Sequence, residues 1–294
     1  MKNKLLINMT PDYEFDESQL SVKDLALIKN LATEERSFYG KAPIGRDIFP
    51  FINLKENLKI INYDFDNHAP KLDAMIFKYP NSKYTWIVIN KNRPLIYQIF
   101  AIAHEYYHFK KDIPNGLNGI SCDFDSTNLR EIKANRFAAE FLLPNEAVKE
   151  AVNNIIIRDG KFDNSNYLEI VLDLSSRYCV PFNVIFLKLK EEGYCKDIEI
   201  STFYSENKDF INNTLKKTDP FKELLSIKND YLKDENKSLL EKLYSDEYIT
   251  ESEFVTMSKD LNIPEKIINE YIKQIDDNLE LDEDDSVFDI GRSI

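Results

Sequence analysis

Histidine is scarce in this 294-residue chain, at three in all, so any two at a meaningful spacing carry information. Cysteine is equally scarce. Cys122, Cys179 and Cys195 are odd in number, far apart, and form no CxxC pair. That excludes a disulfide framework and a cysteine-based zinc knuckle, and leaves reduced thiols in a cytosolic protein as the expectation. No apolar run approaches membrane-spanning length. The N-terminus, Met1-Lys2-Asn3-Lys4-Leu5-Leu6-Ile7-Asn8, turns polar too quickly for a signal peptide. The sequence is expected to give a soluble, cytoplasmic protein with no membrane partner. Positive charge is also in deficit: 38 Lys and Arg against 51 Asp and Glu, a net charge of −13. That argues against a general affinity for phosphate backbones or anionic membranes. The acid is densest from Asp276 to Asp289, which reads as a solvated tail.

What is present is globular: 43% hydrophobic and 12% aromatic residues, in a length that suits one large domain or two ordinary ones. A first helix is expected over Ser18–Glu35, where Leu20, Leu25, Ile28 and Leu31 recur at near-helical spacing. Pro43, Gly45 and Pro50 then break the pattern. Three β-prone runs, Leu58–Tyr63, Ala74–Tyr79 and Tyr84–Asn90, predict a small sheet with one face covered. A helix is expected from Arg93 to Phe109, with Asn92 as its cap. Another follows Asp125-Ser126-Thr127 and ends at Pro144. Shorter helices are expected near Glu146–Asn154 and Tyr167–Tyr178, and one from Pro181 to Gly193. Beyond about Ile198 the texture becomes polar and helical, with helices expected near Lys208–Lys216, Phe221–Tyr244, Ser252–Leu261 and Glu265–Asn278. A domain boundary is therefore placed near 198–220, with residues 1–198 as one domain and 199–294 as an acidic, α-helical second.

The chemistry concentrates in His104-Glu105-Tyr106-Tyr107-His108. A helix turns about 100° per residue, so positions i and i+4 point the same way, one turn apart. Two imidazoles so placed can share one zinc ion, and the glutamate between them is positioned as a general base. A catalytic zinc usually keeps three protein ligands, so a third is needed from elsewhere. The following helix offers Glu131 and Glu140, nine residues and thus about half a turn apart. Glu131 shares its face with Ala134, Asn135 and Ala138, small residues that permit close approach to the histidine helix. The sequence therefore assigns His104, His108 and Glu131 as metal ligands and Glu105 as the catalytic base, and sets Glu140 aside. Asn135 is a candidate to orient Glu131 from behind. Tyr106, Tyr107 and His68 are candidates for a second electrophile. Histidine–glutamate ligation suits zinc and tolerates manganese.

These residues resemble a known family. The pentad at His104–His108, followed by Glu131-x-x-Ala134-Asn135-x-Phe137-Ala138-Ala139 and then Phe141-Leu142-Leu143-Pro144, is similar to the HExxH and ExxANxFA pattern of the ImmA/IrrE metallopeptidases. The resemblance runs from about Leu20 to Gly193. It implies an α+β, zincin-like domain with zinc on His104, His108 and Glu131 and the general base at Glu105. It also implies a bacterial setting, often on mobile elements or in stress responses, and a protein substrate: a helix-turn-helix repressor or an antitoxin-like regulator. The chain departs from the family at Tyr107, where a glycine usually precedes the second histidine, and after residue 198. A helix-turn-helix-like segment at Leu168–Leu189 is too evenly charged for DNA and is expected to be structural or partner-binding, so no direct nucleic-acid binding is expected. Two other functions compete: a binding module that sequesters a partner without cutting it, and a toxin with a different hydrolase activity.

Overall fold

The computed structural model describes residues 19–63, 65, 72–78, 83–114, 119–121, 128–219, 221–225, 233–245, 249–260 and 263–275. His68, Cys122, the caps expected at Asp125-Ser126-Thr127 and the acidic tail lie outside them. The chain forms two compact units: residues 1–61 with 65–229, and residues 230–294 with 62–64. The architecture is α+β, mostly helical with a small sheet, and the C-terminal region is helical.

In the first unit, helix α1 (Val22–Glu35) starts at a capping box. Ser21 Oγ accepts from the backbone N–H of Asp24 (3.1 Å), and the Asp24 carboxylate accepts from that of Ser21 (3.2 Å). The helix begins there rather than at Ser18 because this cap satisfies its free N–H groups. A 3-10 turn at Gly45–Asp47 then leads into a short helix, α2 (Ile48–Asn53). Pro50, expected to break structure, sits in the first turn of α2, where the missing N–H has no partner to lose.

The sheet contains β1 (Leu58–Tyr63), β2 (Ala74–Lys78), β3 (Thr85–Asn90) and β4 (Gly119–Ser121), in the order β1-β3-β2-β4. β2 runs antiparallel to both its neighbours, with Ile76 opposite Ile87 on one side and Ser121 on the other. Every residue of β3 is buried, so the central strand is covered on both faces rather than one. Helix α3 (Leu95–Lys111) packs on β2 and β3, and helix α4 (Leu129–Leu142) packs against both α3 and α1. Pro94, not Asn92, occupies the cap position of α3.

Four longer helices complete the unit: α5 (Asn145–Asp159), α6 (Tyr167–Tyr178), α7 (Phe182–Glu191) and α8 (Asp197–Asn213), followed by the single turn α9 (Phe221–Leu224). α6 and α7 are the helix-turn-helix-like pair. They bend by 116° through Cys179, which is held in the left-handed region at φ 54°. Most of α7 is buried, and only Lys190 and Glu191 in its last turn are exposed. A helix so covered presents no face to a DNA groove. Among the described residues, no single helix is long and apolar enough to cross a membrane.

The second unit gathers α10 (Lys233–Ser245), α11 (Glu251–Asp260) and α12 (265–275) around Leu240, Phe254 and Ile268. Tyr244 stacks on Phe254 at 4.7 Å between ring centroids. Where one helix was expected over Phe221–Tyr244, α9 and α10 are separate elements.

Candidate metal centre

The site is assembled by the last turns of α3 and the first turn of α4. From Leu95 to Ala103, α3 is buried without interruption against the sheet and α4, which fixes its axis and aims its C-terminal turns. α4 is started by Asn128, whose side chain accepts from the backbone N–H of Arg130 (2.9 Å). That cap places Glu131 in the first turn, where the helix dipole favours a carboxylate. Ala134 and Ala138 are fully buried on the same helix, as expected of a face that approaches its neighbour closely.

His104, His108 and Glu131 come together, each offering one ligand atom, with those atoms all within 4.8 Å of one another. Nε2 of His104 lies 2.9 Å from Glu131 Oε2 and 3.2 Å from Nε2 of His108. His108 Nε2 is 3.4 Å from Glu131 Oε1. Donors about 2.0–2.1 Å from a tetrahedral ion stand roughly 3.3 Å apart, so this spacing fits a metal. The outer ring nitrogens are already engaged. His104 Nδ1 donates to Asn135 Oδ1 (2.8 Å) and His108 Nδ1 donates to Asp112 Oδ2 (2.5 Å), which turns both Nε2 atoms toward the gap. His104 and Glu131 keep 11% of their side-chain surface exposed, so the cluster is reachable from one side.

The electrostatics agree. In the chain without metal, burial works against a charged His108, yet hydrogen bonds to Asp112 and Glu131 raise its pKa to about 10. Burial likewise works against the Glu131 carboxylate, but His104 and His108 hold its pKa far below the usual range. Such a trio attracts a cation, whether proton or metal. Glu105 is buried between the two histidines in sequence. Desolvation raises its pKa despite the opposing pull of His104 and His108, and its Oε2 has no hydrogen-bond partner among the described residues.

Not every sequence candidate joins the site. Glu140 turns to the far side of α4, as its phase requires. There it meets Lys188, Arg136 and Lys29, with Glu191 alongside. Tyr106 is not an electrophile candidate in this fold. Its hydroxyl donates to Glu35 and its ring packs among Phe51, Phe137 and Phe141. Tyr107 packs its ring near His108 (6.0 Å between centroids), and burial raises its pKa to about 12. Asn135 orients His104 rather than Glu131. Asp112 was missed by the sequence reading, although its position four residues beyond His108 puts it on the same helix row.

Residues 61–190 match the family model for the IrrE N-terminal-like domain. The chain carries an IrrE-like domain. The ImmA/IrrE resemblance read from the HExxH and ExxANxFA residues is thus borne out, and the family is of the metallopeptidase type. All three candidate donors and Glu105 lie inside the matched segment of the IrrE-like domain. No curated protein matches the chain significantly. One solved structure, described as "Mycobacterium tuberculosis transcriptional regulator", is similar at 14% identity with a TM-score of 0.36. The match covers 54% of this chain and 45% of that one, so this chain spans less than half its length.

Proposed function

We propose that the chain is a zinc-dependent endopeptidase that cleaves a specific cytoplasmic regulator of the helix-turn-helix repressor or antitoxin type. The observation that carries this reading is Glu105: a buried carboxylate of raised pKa, with an oxygen lacking a hydrogen-bond partner among the described residues, beside three converging candidate metal donors. A purely structural zinc site has no use for such a group.

In this reading His104, His108 and Glu131 hold the zinc. Bound there, zinc supplies Lewis acidity, polarising the scissile carbonyl and lowering the pKa of water from about 16 to about 7. Glu105 takes the proton of the attacking water on its free oxygen and later gives it to the leaving amine. Desolvation raises its pKa above the ordinary carboxylate value, the direction that makes a carboxylate a better base. Asn135 and Asp112 keep the two rings turned with Nε2 inward throughout. Tyr107 and His68 remain candidates for a second group on the oxyanion.

The test is Glu105→Gln, which preserves the shape of the side chain and removes its basicity. The wild-type chain is expected to cut a candidate helix-turn-helix regulator and relieve its repression, while the variant retains zinc and does neither. Full relief of repression by the zinc-loaded variant would show that the chain acts by sequestering its partner. Growth arrest on expression, without cleavage of any partner, would point instead to a toxin of another hydrolase class.

A further inference from the structure

The two histidines receive unlike partners on their outer nitrogens. His104 has the neutral amide of Asn135, whereas His108 has the carboxylate of Asp112. Asp112 occupies the C-cap of α3, and its side chain is 17% exposed while that of His108 is 2% exposed. The same carboxylate oxygen lies 3.4 Å from Nε of Arg130. Arg130 is the residue before Glu131 on α4. Asp112 therefore joins the end of α3 to the start of α4 at the point where the three donors converge.

We infer that Asp112 is a positioning residue for the metal donors, with Arg130 holding it in place. The inference rests on the zinc reading above. An imidazole whose Nδ1 has no partner is free to carry its proton on Nε2, and an N–H there would point at the ion. The Asp112 carboxylate fixes the proton on Nδ1 and, being charged, makes Nε2 a stronger donor. Arg130 moves with Glu131, so the contact also sets where His108 stands relative to the third ligand. The amide of Asn135 fixes the ring of His104 in the same way but adds no charge. The two rings thus bind with unequal strength, and the stronger is the more deeply buried His108.

Zinc affinity, read by competition with a chromogenic chelator at fixed pH, tests this without reference to catalysis. Outer partners of metal-bound histidines typically contribute 10–100-fold in affinity. Asp112→Asn keeps an acceptor and loses the charge, and is expected to weaken zinc binding about 10-fold. Asp112→Ala loses both and is expected to approach 100-fold, with Arg130→Gln weaker in effect than either. The metal-free Asp112→Asn chain should melt somewhat below the wild type, having lost the His108–Asp112 pair, but should still unfold in one cooperative step, which separates positioning from failure to fold. In the zinc-loaded wild type, a nitrogen-15 spectrum of the histidines should show a protected Nδ1–H on His108, absent in Asp112→Ala. Both Asp112 variants binding zinc within twofold of the wild type would overturn the inference and leave the zinc site standing. Failure of the wild-type chain to take zinc in the same competition would remove the site and the inference together.

Discussion

Nε2 of His104 lies 2.9 Å from the carboxylate of Glu131, although 27 residues of chain separate them. Two helices must be held in one register for that contact to form, and α3 and α4 are held by small buried residues along their shared face. Glu131→Gln is isosteric and neutral. It is expected to lower zinc affinity by more than the 10–100-fold typical of an outer partner. Zinc retained stoichiometrically through dialysis against a chelator would show that Glu131 is no ligand.

The proton on His108 makes a pH dependence. Its pKa in the metal-free folded chain is raised to about 10, against about 6.5 when unfolded. A raised pKa contributes stability that is present in full below pH 6.5 and is lost as pH rises through 10. The difference in unfolding free energy between the stripped wild type and His108→Gln should therefore shrink from pH 6 to pH 10. Zinc competes with the same proton, so zinc uptake near pH 7 should release protons. A difference that grows with pH would contradict this account of His108.

Tyr106 is the clearest case in which position in the motif misleads. It lies inside the HExxH pentad, yet the helix turns it to the opposite face, against Glu35 and the Phe137–Phe141 stack. Tyr106→Phe should cost roughly 1.5–3 kcal/mol of stability, the usual worth of a hydrogen bond to a charged group, and leave the turnover number unchanged. A fall in turnover at unchanged zinc content would place its hydroxyl in the reaction.

A second, partly buried charge cluster secures α4 from behind. Lys29, Arg136 and Lys188 meet Glu140 and Glu191, and Arg136 and Lys188 are fully buried. Removing a carboxylate here leaves three cations facing one anion. Glu140→Gln should thus destabilise the chain by roughly 3–5 kcal/mol. Lys188→Met leaves two of each sign and should cost less than Glu140→Gln. Equal losses in chemical denaturation would show that the charges are not acting as a set.

The donors were legible because their information is periodic. His104 and His108 share a helix face by count alone, and the half-turn between Glu131 and Glu140 separates the candidate ligand from the carboxylate that meets Arg136 and Lys188. Asp112 obeys the same count and was readable one turn further on. The role of Asn135 was not, because phase shows which face a residue occupies and not which of two nearby partners it meets. Strand β4 spans three residues, Gly119–Ser121, too few for an alternation to show. Helix α8 begins earlier than the expected Lys208 because Asn207 stands between its buried Phe203 and Ile211, so the apolar repeat skips a turn. Lys188, one of the charges in the helix-turn-helix-like segment, is fully buried. A lone sequence cannot reveal that a carboxylate from α4 waits for it.

The central claim is that Glu105 acts as a base beside a zinc held by His104, His108 and Glu131. It is tested most directly by incubating zinc-loaded wild type and Glu105→Gln, matched for metal content, with a proteome-derived peptide library and reading new termini by mass spectrometry. The account predicts zinc-dependent cleavage by the wild type and a loss of about 10²–10⁴-fold in the variant. Cleavage at equal rates by both, or none by a wild type carrying one zinc, would contradict it.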